Sequence, residues 1–101
     1  MNTKTLDAHI ESAPGLAHGK PRIAGRRITV QNVVIWHERL GKSADDIATE
    51  HGLSLADVHA ALAFYFDHRE AIDAQIREDD AFAEALRERT PSVLRQKLQA
   101  Q

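Results

Sequence analysis

From Val30 onward the apolar residues recur at helical spacing. Val30, Val33, Val34 and Leu40 fall near one face, and Gly41 supplies a C-terminal stop. Ser43 then reads as an N-cap, with Asp45 and Asp46 in the first turn, where the helix dipole favours anions. That second helix ends at Gly52. Ser54 caps a third, with Asp57 at the capping-box position three residues on. Leu55, Val58, Leu62, Tyr65 and Phe66 form an apolar stripe that Ile72 and Ile76 extend. No Gly or Pro interrupts 53–90, so the pattern predicts a long helix, with Glu78-Asp79-Asp80 as the place where it would break. Thr90-Pro91 marks a boundary, and Ser92–Leu98 predicts a last turn or two. Upstream, Pro14, Gly15, Gly19, Pro21 and Gly25 exclude a long helix. Arg22-Ile23-Ala24 and Arg27-Ile28-Thr29-Val30 flank Gly25 and predict a small strand or hairpin, with His9-Ile10-Glu11 pairing with one of them.

The stretch SADDIATEHGLSLADVHAAL, Ser43–Leu62, has the spacing of a helix-turn-helix. Two steeply crossing helices need a small residue where they touch, and Ala48 supplies it. The turn needs a residue that tolerates positive φ, and Gly52 fits. Ile47, Leu53 and Val58 supply the apolar lock. The geometry is fairly specific, but its function is not, because the same arrangement serves purely structural helix pairs.

The chain has 101 residues, enough for a single core, and 43% of them are apolar. It contains no cysteine, which excludes a disulfide scaffold and fits a reducing cytosol. Its longest apolar runs fall well short of the ~20 residues that span a bilayer. MNTKTLDAHI has no apolar signal region. The expectation is a soluble, cytoplasmic protein without a membrane partner.

Net charge is only −2, but it is unevenly spread. From His18 to Lys42 six bases (Lys20, Arg22, Arg26, Arg27, Arg39, Lys42) face one acid, Glu38. From Ser43 to Glu88 there are twelve acids against Arg69, Arg77 and Arg87. Either the two regions serve two kinds of partner, or they neutralise each other within the fold. The knot GKPRIAGRRITV, Gly19–Val30, places Lys20, Arg22, Arg26 and Arg27 within twelve residues. The third helix offers Ser54, Ala56, Asp57, His59 and Ala60, with no Arg or Lys before Arg69. DNA binding would therefore combine Ser54 and His59 with phosphate contacts from a basic wing of Lys20, Arg22, Arg26 and Arg27. The opposing expectation pairs those bases with Asp45, Asp46 and Glu50.

With these residues in view, GKPRIAGRRITV resembles the N-terminal signature of the DUF433 family, GKP-x-I-x-G-T-R-I-x-V before a helix-turn-helix. Asp46-Ile47, Leu53, Asp57-Val58, Ala61-Leu62-Ala63 and Tyr65 also match that pattern, and the likeness covers about residues 9–76. Arg26 stands where the family usually has Thr, and His18 replaces a more usual Gly or Cys. The resemblance implies a mainly α, homeodomain-like or winged helix-turn-helix domain of three to five helices with a short N-terminal β-hairpin. It also implies a VapB-like type II antitoxin that binds its own promoter and neutralises a PIN-like ribonuclease toxin. A basic wing would then face operator DNA, and the acidic segment 67–88 a nuclease surface built to attract RNA phosphate. Phe82, Leu86, Leu94 and Leu98 form two i, i+4 pairs suited to an amphipathic helix in a partner's groove, with Pro91 between them. The bland reading packs them against the domain or across a dimer. A homodimer is expected either way. On this view residues 1–76 are the helix-turn-helix domain and 77–101 a helical extension.

Other chemistry finds little footing. Gly15–Pro21 lacks the spacing, the Ser or Thr, and the following helix of a phosphate loop. The six histidines (His9, His18, His37, His51, His59, His68) show no metal-ligand spacing, and the adjacent acids Asp45-Asp46 and Asp79-Asp80 point apart on a helix. No enzyme, metal or cofactor is expected. Trp36 reads as a core anchor or interface residue. Two functional readings follow: a DNA-binding antitoxin, or a protein-interaction module that never touches DNA.

Overall fold

The computed structural model describes residues 6–12 and 19–89. A 3-10 turn, Leu6–His9, leads into β1 (Ile10–Glu11), which pairs antiparallel with β2 (Arg22–Ile23) in the register Ile10 to Ile23 and Glu11 to Arg22. The expected partner of His9-Ile10-Glu11 is thus the first of the two candidate segments. The second, after the turn at Gly25, touches β2 only through a bridge between Arg22 and Thr29. It stops there because Thr29 is already the N-cap of α1 (Val30–Val34). Its hydroxyl accepts from the Asn32 amide while the Asn32 side chain accepts from the Thr29 amide.

Helix α1 widens into a π-helical turn, Ile35–Arg39, before Gly41 takes a left-handed backbone. Helix α2 (Ala44–His51) starts at the Ser43 cap and ends at Gly52, whose φ of 64° is the left-handed turn that the spacing required. Helix α3 (Leu55–Asp67) opens with a complete capping box between Ser54 and Asp57. Helix α4 runs from Arg69 to Arg89.

The break predicted at Glu78-Asp79-Asp80 lies instead at His68, whose backbone leaves helical geometry (φ −126°, ψ 34°). The His68 ring stacks on Phe64 with centroids 4.0 Å apart. The bend lets α4 fold back so that Ile72 and Ile76 join the core. The acids at 78–80 do not interrupt α4, because cations of other elements answer Asp79 and Asp80.

Ile23, Val30, Val33, Ile47, Val58, Ala61 and Ile72 are fully or almost fully buried in one cluster, with Leu53 and Tyr65 at its edge. They come from β2 and all four helices, so the helix-turn-helix and the strands share one core. Burial ends at Ile76, and every residue from Arg77 to Arg89 is exposed. The expected limit at 76 is therefore a change in burial along one continuous helix. The expected final turn at 92–98, with Leu94 and Leu98, lies outside the described residues. No helix among the described residues is long and apolar enough to cross a membrane.

Gly52→Ala places a Cβ on a left-handed backbone, which costs about 1–2 kcal/mol. Thermal denaturation should show Tm lowered by roughly 4–15 °C; an unchanged Tm would mean that the turn relaxes into another conformation.

Candidate nucleic-acid and protein interface

The basic turn, Ala24–Arg27, sits at the surface because Ile23 before it is buried and Ile28 behind it packs on the core. Arg26 reaches across to the helix-turn-helix. Its Nη1 donates to the Gly52 carbonyl at 3.0 Å and its Nη2 to the His51 carbonyl at 2.8 Å. Those carbonyls end α2, where the helix has no amide left to satisfy them and the dipole is negative. Arg26 is thus a C-cap delivered from a distant turn.

The other bases are also engaged. Lys20 Nζ lies 2.5 Å from Asp79 Oδ2, which also accepts from Gln31 Nε2 at 2.7 Å. Arg22 Nη2 lies 2.6 Å from Glu11 Oε1. The Gly25 amide, and after it Arg22, holds the Glu11 carboxyl below its ordinary value. Arg39 meets Asp80 at 2.8 Å, which lowers the Asp80 pKa and raises that of Arg39. Lys42 meets Glu50 at 2.5 Å. None of the wing bases Lys20, Arg22, Arg26 and Arg27 pairs with Asp45, Asp46 or Glu50: Glu50 takes Lys42, while α4 and β1 supply the acids for Lys20 and Arg22. Arg27 alone of the six is exposed with neither a hydrogen-bond nor an ion-pair partner for its side chain among the described residues. The structure therefore brings Arg26 to the turn before Ser54, sends Lys20 to α4 and Arg22 to β1, and leaves Arg27 facing outward.

On α3 the Ser54 hydroxyl is spent on the Asp57 amide, and His59 is exposed. Asp57 carries a second contact, His9 Nδ1 at 2.8 Å from its Oδ1. Burial opposes ionisation of Asp57, but the hydrogen bonds from His9 and Ser54 outweigh it and lower its pKa. The helix-turn-helix residues Ile47, Ala48, Leu53 and Val58 are all buried. Phe82 and Leu86 stand 67% and 47% exposed on the outer half of α4. Trp36 stacks flat on His51, 3.8 Å between centroids, which makes it an anchor between the π-helical turn and α2.

A cleft of about 240 Å³ opens between the π-helical turn, α3 and α4, lined by Val34, Tyr65, Asp73 and Arg39 among others. It is smaller than the ~300 Å³ at which small-molecule sites begin. Three of its polar groups are already committed: the Tyr65 hydroxyl donates to Asp73 at 2.8 Å, and Arg39 holds Asp80. Burial first, and Asp73 second, push the Tyr65 hydroxyl pKa up. No cluster of His, Cys, Asp or Glu with metal-binding geometry occurs among the described residues.

Three of these contacts were invisible in the sequence pattern: the Arg26 cap, the His9–Asp57 pair and the Asp79 hub. They join residues 25, 48 and 59 positions apart. No local signal reaches that far.

Residues 10–65 match the family described as "Protein of unknown function (DUF433)". The chain belongs to the DUF433 family. The crystal structure of a DUF433 member from Anabaena variabilis is 30% identical, covers 71% of each chain and superposes with a TM-score of 0.65. No curated protein matches the chain. The family match spans the turn that carries Arg26 and the helix-turn-helix it caps.

Two outcomes test this geometry. Arg26→Ala should lower stability by about 1 kcal/mol, as loss of a charged cap at a helix C-terminus does, while Arg27→Ala leaves it unchanged in denaturant titrations. Asp57→Ala should cost about 1 kcal/mol at neutral pH through loss of the carboxylate's bonds to the Ser54 amide and to His9. The folded pKa of Asp57 lies below its ordinary 3.8, so its contribution is complete above that value and fades as pH falls through the lower folded value. Stability of the variant measured down the acid limb should accordingly fall less steeply than that of the parent.

Proposed function

We propose that this DUF433 protein is an antitoxin-like inhibitor that neutralises a PIN-like ribonuclease by laying the outer half of α4 on it. The observation that carries this reading is the state of residues 77–89. They are helical, wholly exposed, and display Phe82 and Leu86 one turn apart. Glu78, Glu84 and Glu88 flank that apolar pair, Glu84 meeting Arg87 of the same helix at 2.7 Å, with Asp79 and Asp80 facing cations of the body. Apolar anchors supply affinity in such helix-in-groove contacts, and surrounding acids match a surface that attracts RNA phosphate. An enzymatic role has no comparable support, and the reading assigns none.

Promoter binding is a second reading, favoured by the exposure of Arg27 beside the Arg26-capped turn and of Ser54 and His59 on α3. Against it, Lys20, Arg22, Arg39 and Lys42 are neutralised by carboxylates of the same chain. Phosphate contacts that must first break an internal pair gain less. The geometry thus weights protein contact above DNA contact.

Co-purification with the product of an adjacent PIN-like gene, followed by an RNase assay, tests the first reading. Phe82→Glu with Leu86→Glu should abolish inhibition with Tm unchanged; full inhibition by that variant would reject it. A gel shift on the chain's own upstream DNA tests the second. A shift that weakens steeply with salt and disappears in Arg27→Ala supports operator binding, and no shift at low salt leaves the interaction module alone.

A further inference from the structure

We propose that the outer face of α3 is a self-association surface that pairs two copies of this chain antiparallel. Leu55, His59, Ala63 and Phe66 lie at i, i+4, i+8 and i+11, so they form one strip along the helix, opposite the buried Val58, Ala61 and Tyr65. Leu55 is 45% exposed and Phe66 57% exposed, at opposite ends of the strip. An exposed Leu alone is ordinary, but two large apolar groups bracketing one uncharged helix face call for a cover.

Charge identifies the cover. A two-fold axis places a patch against its own copy, so a charged patch repels itself. Helix α4 carries seven acids against four arginines and is therefore a poor surface for self-pairing. The strip on α3 has no permanently charged residue. Its charged neighbours on α3 are Asp57, which turns away to hold His9, and Asp67, exposed beyond Phe66 at the end of the helix, where an antiparallel pair sets the two Asp67 side chains at opposite ends. His59 is its single titratable group. A face without fixed charge gains nothing from a charged partner and meets no repulsion from a second copy.

The spacing is also self-complementary. In an antiparallel pair centred between His59 and Ala63, Leu55 falls opposite Phe66 of the second copy, and the His59 ring opposite Ala63. Large thus meets small at the crossing, and apolar meets apolar at both ends. In this arrangement α3 sits at the dimer centre, where it cannot also enter a DNA groove. The surface is separate from the outer half of α4, so each copy keeps its own partner-binding helix.

Sedimentation across the micromolar range tests the proposal. The parent should sediment as a dimer, and Leu55→Glu with Phe66→Glu as a monomer of unchanged helix content. The α4 variant Phe82→Glu with Leu86→Glu should stay dimeric. Because the chain contains no cysteine, an equal mixture of His59→Cys and Ala63→Cys single variants offers a check that does not depend on tolerating buried charge. Mild oxidation should link the two variants far faster than a mixture of Ala81→Cys and Ala85→Cys. A monomeric parent, a dimer that survives the α3 substitutions, or equal linking in both mixtures would overturn the proposal. None of these outcomes bears on inhibition through α4.

Discussion

The left-handed backbone at Gly52 is the constraint from which the rest of the domain follows. It ends α2 within one residue and redirects the chain so that Leu53 and Val58 fold back onto Ile47. It also turns the last carbonyls of α2 outward, where Arg26 closes on them. One backbone conformation therefore sets the crossing of the two helices and gives the basic turn its docking point. A side chain at this position would strain the turn even though the space around it is open, since the nearest atom to an added Cβ is an Arg26 nitrogen at 3.6 Å.

Electrostatics then decides which surfaces remain available. Lys20, Arg22, Arg39 and Lys42 meet carboxylates of their own chain, two of them on α4, before they can meet a ligand. Lys20 and Gln31 converge on Asp79, and Arg39 holds Asp80, so the middle of α4 is tied to the body on two sides. Exposed pairs of this kind contribute little individually to stability. Their larger effect is to cancel the basic patch and to orient the helix beyond Asp80. What stays unspent is a mostly uncharged strip on α3, an acidic and apolar half-helix on α4, and Arg27. That inventory favours protein contacts over a polyanion.

Legibility from sequence tracked the range of the interaction. Ser43, Ser54 with Asp57, Gly52, and the alternation of Ile47, Val58, Leu62 and Ile72 are read within a few residues, and the caps and core follow them closely. The bend between α3 and α4 was misplaced because its cause is not a helix breaker. His68 leaves the helix when its ring stacks on Phe64 and α4 turns back onto the core, whereas the Glu78-Asp79-Asp80 run looks repulsive only until its distant cations are in place.

The amino-acid order alone therefore settled the mainly helical class, the caps, the glycine turn and the family signature, because hydrophobic periodicity and backbone preferences act between near neighbours. Only the tertiary structure decided the fate of the charges. Whether Arg22 answers Glu11, Lys20 answers Asp79, or Arg26 caps α2 depends on which elements the core brings within about 3 Å of one another. Residues widely separated in sequence carry no mark of that proximity.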